Sequence, residues 1–339
     1  MNTSAPVVSI VTANYNGAEH LPALLSCLQG QTLQEFELIV VDNRSTDSSL
    51  SILSDLGQHS AFPLLVIRNL RNLGFGPATN QGIRRSAAPW IATLNNDTRP
   101  ESTWLEHLID IAHGSGSLGS GIGMVGSKML RAKDPTLIDS TGIAVDWSGI
   151  AWDLRGGERD DSNEVTPKPI FGPCAGAALY SRAMLEEIGM FDEDFFAYLE
   201  DVDIAWRARL AGWEAVLEPS SRVLHAHSAT LGDASPRKRF LLARNKIWLL
   251  VKNYPGLDLD RYLAFILAYD AMAAAYGVAT RADFAALRGR AAAMRMLPKF
   301  LTKRREIQER WQDVANWRKV VSPLVPPWSV SRRYAHLST

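Results

Sequence analysis

Five short β-branched runs recur through the first 130 residues, each followed by a polar cluster or by a stretch with helical spacing. This alternation restricts the chain to very few architectures. Residues 7–11, 36–41, 64–67, 90–94 and 124–130 read as buried strands, because they are apolar, β-branched and bounded by turn residues. Residues 21–28, 77–86 and 101–112 repeat apolar side chains at helical spacing, and Ser45 or Thr46 is placed to cap a further helix with Asp47 in its first turn. Strand–helix alternation predicts an α/β fold: a mostly parallel sheet with helices on both faces. The polar residues fall just beyond the strands: Asn14, then Asp42 and Asn43, then Asn95, Asn96 and Asp97. Open α/β sheets bind ligands at the carboxyl ends of their strands, so these groups are expected on one edge.

The same turns exclude two common uses of such a sheet. The first strand ends in Ala13-Asn14-Tyr15-Asn16-Gly17, which is not the Gly-x-Gly-x-x-Gly turn that lets a dinucleotide pyrophosphate approach, and Gly74-Phe75-Gly76 is only a fragment of one. No Walker A sequence occurs. A nucleotide on this edge would be held by amide and carboxylate side chains together with a metal. Asp97, alone at a strand end, suits Mg²⁺ or Mn²⁺, which keep several waters and take diphosphate oxygens as further ligands; its plain alternative is a turn-forming Asp.

A second cluster lies downstream, in Leu199-Glu200-Asp201-Val202-Asp203. Val202, Trp206 and Leu210 recur at helical spacing, with Gly212 as a stop, so Glu200 and Asp201 open a helix. Carboxylates there complement the helix dipole, and a carboxylate fixed beside aromatic walls is also what a general base requires. Asp203 faces about 200° away from Asp201 on the helix and reads as structural. A further strand over residues 213–217 leads to His225, with His227 two positions on. The two cysteines, Cys27 and Cys174, have no metal-site spacing and imply no disulfide framework, which fits a reducing cytoplasm; Cys174 reads as a packed residue. The first six residues lack the basic region and apolar core of a signal peptide.

Residues 114–123 read as a Gly/Ser-rich loop, residues 131–170 as irregular, and residues 171–180 as a small-residue apolar segment. From Arg239 onward the pattern is helical. A net charge of zero conceals a division: residues 1–235 hold 16 Lys and Arg against 29 Asp and Glu, and residues 236–339 hold 20 against 7. The expected organisation is therefore an acidic α/β body over residues 1–235, which the resemblance described below makes the catalytic domain, and a basic helical region over residues 236–339. Residues 262–280 form an apolar run of marginal length for a membrane span, with Asp270 near its centre; an interfacial helix or one packed on the body are the alternatives. Basic residues interleaved with aromatics around Phe300, Lys299, Lys303, Arg304, Arg305, Trp311 and Trp317 suit an anionic membrane surface rather than nucleic acid, for which an acidic body offers no groove.

Taken together, the motifs resemble family 2 of the inverting glycosyltransferases, which have the GT-A fold, a Rossmann-like mixed sheet. They look most like the rhamnosyltransferase branch of bacterial O-antigen and cell-wall polysaccharide synthesis. The resemblance rests on residues 8–16, 37–47, 69–75, 94–98, 191–196, 199–203 and 223–225, in the family's order. It implies that Thr12, Asn14, Asp42 and Asn43 hold the base and ribose of a UDP- or dTDP-sugar, and that Asn72 and Gly74 line the nucleotide pocket. Asn95-Asn96-Asp97 takes the Asp-x-Asp position, with Asn95 in place of the first Asp, so Asp97 and His225 are the implied ligands of a divalent cation. Asp201 falls on the catalytic base, with Glu200 in support, and residues 172–177 fall beside the acceptor. The implied acceptor is a glycan or lipid-linked glycan at the cytoplasmic face of the inner membrane. Two other readings stand beside this one: a sugar-nucleotide nucleotidyltransferase, and a silent scaffold that binds a nucleotide sugar or glycan.

Overall fold

In the computed structural model, residues 5–57, 60–114, 121–160, 164–226, 235–281, 283–311 and 314–325 are described. His227 and most of the expected 114–123 loop lie outside the described residues. The chain runs β1 (Val8–Asn14), α1 (Leu21–Gln29), β2 (Phe36–Asp42), α2 (Ser49–Gly57), β3 (Leu64–Arg68), α3 (Phe75–Arg85), β4 (Trp90–Leu94), β5 (Thr98–Pro100), α4 (Trp104–His113) and β6 (Ile122–Arg131). It continues with β7 (Asp134–Ser140), β8 (Ile143–Val145), β9 (Ala151–Asp153), β10 (Lys168–Pro169), β11 (Ala177–Ser181), α5 (Arg182–Ile188), a 3₁₀ turn (Glu193–Phe195), α6 (Glu200–Leu210) and β12 (Glu214–His225). Five helices close the described chain: α7 (Pro236–Asn253), α8 (Gly256–Arg281), α9 (Phe284–Arg295), α10 (Leu297–Arg310) and α11 (Val314–Arg318).

The main sheet has the order β10-β12-β6-β11-β4-β1-β2-β3, with β5 added beside β12 and β7 beside β6. β4, β1, β2 and β3 run parallel, and β12 runs parallel to β6. β11 enters between β4 and β6, antiparallel to both. The pleat explains why helices cover both faces: alternate side chains of one strand point to opposite sides. Val8 and Ile10 pack with Leu21, Leu24 and Leu28 of α1 and with Trp104 and Leu108 of α4. Val11, one step out of phase, packs instead with Ile83 of α3 and with the cluster that holds Met184, Val202 and Trp206.

Two expectations need correction. Residues 131–170 are not irregular throughout: they supply β7, paired to β6, and the small β8–β9 sheet. Their strands were hidden because they are short and polar at one end, and their partners are set by the sheet rather than by local pattern. The basic and aromatic residues nominated for a membrane surface are also largely turned inward. Phe300 and Trp317 are fully buried. Phe300 stacks on Trp248 with ring centroids 4.5 Å apart, and Trp317 packs against Trp206 and Tyr254. Lys299 and Lys303 pair with Asp194, and Lys303 also with Asp192. Arg304 donates to the carbonyls of Val251 and Tyr254. The charge division between the two halves of the chain is thus partly an internal attraction, drawing α10 onto the turn that precedes α6.

Candidate active site

Parallel pairing of β1 with β2 sets Asn14 opposite Asp42, and Asn43 N–H donates to the Asn14 carbonyl at 2.7 Å. The Asn14 side chain then links three elements. Its Nδ2 donates to Asp42 Oδ1 at 2.9 Å and to Ser45 Oγ at 3.1 Å, while its Oδ1 accepts from Asn96 Nδ2 at 2.8 Å. A Cβ on Gly17 would lie 2.2 Å from both Asn14 Oδ1 and Asn96 Nδ2, so a larger residue there would displace these two amides. Thr12 is on the same face one pleat back, fully buried behind Asn14. Asn43 reaches the other way, with Nδ2 donating to the Gly74 carbonyl at 3.0 Å and Oδ1 accepting from Asn69 at 2.9 Å. Asn72 Oδ1 accepts from Gly74 N–H at 2.9 Å. Gly74 has φ +93°, and a Cβ there would meet the Phe196 carbonyl at 2.3 Å, so this loop is packed directly on the segment before α6. Phe75 N–H donates to that same carbonyl at 2.6 Å.

Beyond β4 the chain turns at Asn95, whose N–H donates to the Gly176 carbonyl at 2.9 Å, and enters β5. Antiparallel pairing of β5 with β12 sets Thr98 opposite His225, which brings Asp97 beside the imidazole. His225 Nε2 is 3.2 Å from Asp97 Oδ1, and Nδ1 is 2.7 Å from Asp139 Oδ2. Burial opposes a charge on His225, but hydrogen bonds to Asp139 and Asp97 outweigh it and hold the ring protonated up to about 10. Asp139, on β7, is a site residue that sequence reasoning missed. Its signal was the turn that follows, Ser140-Thr141-Gly142, in a stretch read as irregular.

This pair fits a divalent cation shared with a ligand. Both ring nitrogens face carboxylates, so a cation would take the place of the Nε2 proton beside Asp97, with Nδ1–H still donated to Asp139, the arrangement by which an outer carboxylate orients a metal-binding imidazole. Among the described residues no group of three or more His, Cys, Asp and Glu side chains forms a cage. Two protein donors with the remainder from phosphate oxygens and water is the usual manner of Mg²⁺.

The opposite wall is the head of α6. Phe196, Tyr198 and Leu199 all have φ between +65° and +70°, sparsely populated backbone that costs non-glycine residues about 1–3 kcal/mol each. Leu199 caps α6 with no side-chain hydrogen bond. Glu200 is buried, and Asp201 is half-buried. Asp201 Oδ1 accepts from Val202 N–H at 2.8 Å and Oδ2 from Ala175 N–H at 3.5 Å, which joins it to the 172–177 segment. Burial, then the adjacent Asp201 charge, pushes Glu200 up to about 8. Burial also lifts Asp201 above the ordinary aspartate value, against the backbone donors of Val202 and Ala175. Cys174 lies among these groups. Burial and the charges of Asp153, Asp201 and Asp139 hold its thiol well above the usual range, which opposes formation of the thiolate.

Asp203 points away from this wall into a fully buried ion cluster. It accepts from Arg207 Nε at 3.0 Å, from Lys252 at 2.9 Å and from Asn253 at 2.8 Å. The expected edge is therefore assembled from Asn14, Asp42, Asn43, Asn72, Gly74 and Asn96 on one side, and from Asp97 with His225 beside them. Glu200 and Asp201 join the edge through Ala175 and through the Gly74–Phe196 contact.

Comparison with known proteins bears on the family and the fold. The sequence model of Glycosyl transferase family 2 matches residues 9–189. An N-acetylglucosaminyl-diphospho-decaprenol L-rhamnosyltransferase of Mycobacterium tuberculosis is 27% identical over 252 residues, covering 68% of this chain and 80% of that protein. Two solved structures share the fold at 17% identity. Mannosyltransferase PcManGT of Pyrobaculum calidifontis, in complex with GDP-Man and Mn²⁺, superposes with a TM-score of 0.54 over 91% of this chain and 86% of that one. S. aureus TarS 1–349, in complex with UDP-GlcNAc, gives 0.55 over 97% and 91%. The mixed, mostly parallel sheet is that of the GT-A fold.

Proposed function

Since the chain belongs to glycosyltransferase family 2 and is a glycosyltransferase, we propose that it transfers a sugar from a nucleoside diphosphate to an acceptor hydroxyl in one in-line, inverting displacement. The observation that carries this reading is the meeting of the Glu200–Asp201 head of α6 with the Asn14–Asp42–Asn96 edge, through Ala175 on one side and the Gly74–Phe196 contact on the other. Asp201 accepts the proton of the acceptor hydroxyl. That oxygen bonds to the anomeric carbon as the bond from this carbon to the diphosphate oxygen breaks, and the nucleoside diphosphate departs on the opposite face. Asn14, Asp42 and Asn43 bind base and ribose, Thr12 backs them, Asn72 and Gly74 shape the pocket, and Asn95 and Asn96 face the diphosphate. Asp97 and His225 hold the divalent cation, Mg²⁺ or Mn²⁺, which when bound supplies positive charge to the leaving diphosphate. Glu200, kept protonated near neutral pH, orients the acceptor or Asp201 as a hydrogen-bond donor.

The donor we favour is dTDP-rhamnose, and the acceptor a lipid-linked glycan of O-antigen or cell-wall synthesis. The support is the mycobacterial relative, whose name specifies L-rhamnosyl transfer to an N-acetylglucosaminyl-diphospho-decaprenol. A nucleotidyltransferase would want Lys or Arg in the turn after β1 for a triphosphate, and residues 15–20 contain neither. The C-terminal region, residues 236–339, is read as the part that meets an anionic cytoplasmic leaflet. Its surface is the outer side of α8, a 26-residue helix long and apolar enough to cross a membrane. The helix is pinned to the body by Asp270, which pairs with Arg290 and Lys246, so we read it as lying along the bilayer. Leu263, Phe265, Leu267, Met272 and Tyr276 are exposed on it, and Phe284, Leu287 and Met294 on α9 alternate with exposed Arg288 and Arg295.

The test is release of nucleoside diphosphate from a panel of dTDP-, UDP- and GDP-sugars with Mg²⁺ or Mn²⁺, with and without a polyprenyl-diphosphate N-acetylglucosamine acceptor. Acceptor-stimulated release of dTDP from dTDP-rhamnose is the expected result. Release from another donor alone overturns the rhamnose assignment, and no release from any donor overturns the transferase reading.

A further inference from the structure

We propose that Arg244 and Asn245, on α7, are positioning residues for the Glu200–Asp201 pair: they hold the irregular segment 196–199 from which α6 starts. The proposal rests on Asp201 being the base. Asn245 is fully buried, and its Nδ2 lies 3.1, 2.9 and 2.8 Å from the carbonyls of Phe195, Ala197 and Tyr198. The two N–H donors of one amide are thus shared among three carbonyls of this irregular segment, of which that of Phe195 also accepts from Ala197 N–H. Arg244 fixes which way that amide faces. Its Nε donates to Asn245 Oδ1 at 2.9 Å, so the amino group is turned to the loop. Its Nη2 donates to the Phe195 carbonyl at 2.8 Å and to the Asp194 carbonyl at 3.3 Å. The guanidinium itself lies over the Trp248 ring, 4.2 Å from the centroid, which fixes its plane.

The clamped segment has two dependants. Its Phe196 carbonyl accepts from Phe75 N–H beside Gly74, in the loop assigned to the nucleotide, and its last residue, Leu199, is the N-cap of α6. Three residues of four with positive φ do not hold that shape unaided, so the surrounding structure has to impose it. The α7 side chains are donors that impose it. Neither residue touches the edge, so both act through Asp201 rather than on the sugar.

The experiment compares Arg244→Lys and Asn245→Asp with wild type and with Leu249→Ala, a fully buried α7 residue that makes no side-chain hydrogen bond to the loop. Lysine keeps the charge but loses the planar fork, and aspartate keeps the shape but loses the donors. The expected result is a kcat lower by roughly 10–100-fold with donor KM little changed, and faster amide exchange confined to residues 195–202. Leu249→Ala should lower the melting temperature without this kcat loss. Unchanged kcat in folded Arg244→Lys, unchanged exchange in the segment, or an equal kcat loss in Leu249→Ala overturns the proposal. If Asn245→Asp does not fold, Arg244→Lys decides. Failure of the base assignment is separate: an active Asp201→Asn removes Asp201, whereas an inactive Asp201→Asn with a fully active Arg244→Lys removes only the clamp.

Discussion

The Lys252 ammonium lies 2.8 Å from the Asp203 carboxylate, with the two side chains 5% and 0% exposed. Asp192 takes the same ammonium at 2.7 Å, so one lysine of α7 joins the segment before α6 to the inner face of α6 itself. Burial opposes the ionised Asp203, but Lys252 and then Arg207 outweigh it and hold its carboxyl below the usual aspartate range. Removing one partner strands a buried charge, which costs about 3–5 kcal/mol. Lys252→Ala and Asp203→Asn are each expected to lower unfolding free energy by that order in urea titrations. Their double-mutant cycle should show strong coupling, and additive losses would mean that the pair is not a unit.

Asp201→Asn keeps the shape of the helix head and removes the base. Turnover should fall roughly 10²–10⁴-fold, the usual contribution of a positioned general base, while binding of the nucleotide sugar by calorimetry stays near wild type. Loss of binding together with turnover would move Asp201 from proton transfer to donor recognition.

Glu200 makes stability depend on pH in a direction opposite to most carboxylates. Its pKa is about 8 in the folded chain against 4.5 as the ordinary value. Between those values the folded state binds a proton that the unfolded state has released, so stability falls as pH rises. Glu200→Gln should remove this slope, and its advantage over wild type should grow from about pH 4.5 to pH 8 and then level off. Parallel stability curves for the two proteins across that range would show that the Glu200 proton is not held.

Asp139 is expected to matter through His225 rather than by direct contact with a sugar. Asp139→Asn should weaken Mn²⁺ binding about 10–100-fold, read by electron paramagnetic resonance of free Mn²⁺ in the presence of nucleoside diphosphate. Asp97→Ala should weaken it at least as much. Unaltered Mn²⁺ affinity in Asp139→Asn would leave the Nδ1 contact as packing only.

The outer side of α8 should bind vesicles of phosphatidylcholine with phosphatidylglycerol more than phosphatidylcholine alone. Phe265→Glu with Leu267→Glu should abolish that binding in flotation, with soluble folding intact. Arg288→Glu with Arg295→Glu should weaken it in a salt-dependent way. Vesicle-independent self-association that the α8 substitutions abolish would assign the face to a second copy of the chain.

Much of the candidate site was legible in sequence because its parts are local. Asn14, Asp42 and Asp97 each end a recognisable strand, and parallel strands bring their ends together by topology. Glu200 and Asp201 were legible as a helix start. Asp139 was not, because its strand is defined only by pairing with β6. Nor was the use of the basic tail, since a charge count does not say which charges face each other. The sequence by itself determined the α/β alternation, the gathering of polar strand ends on one edge and the family motifs, all encoded over spans of ten or so residues. Only the tertiary structure decided that Asp139 faces His225 across 86 residues, that Asn245 holds the Tyr198 carbonyl across 47, and that Lys303 closes on Asp192 across 111. The physical reason is separation: side-chain hydrogen bonds and buried ion pairs act over about 3 Å, and nothing in the order of residues says which distant groups the packing of the core will bring that close.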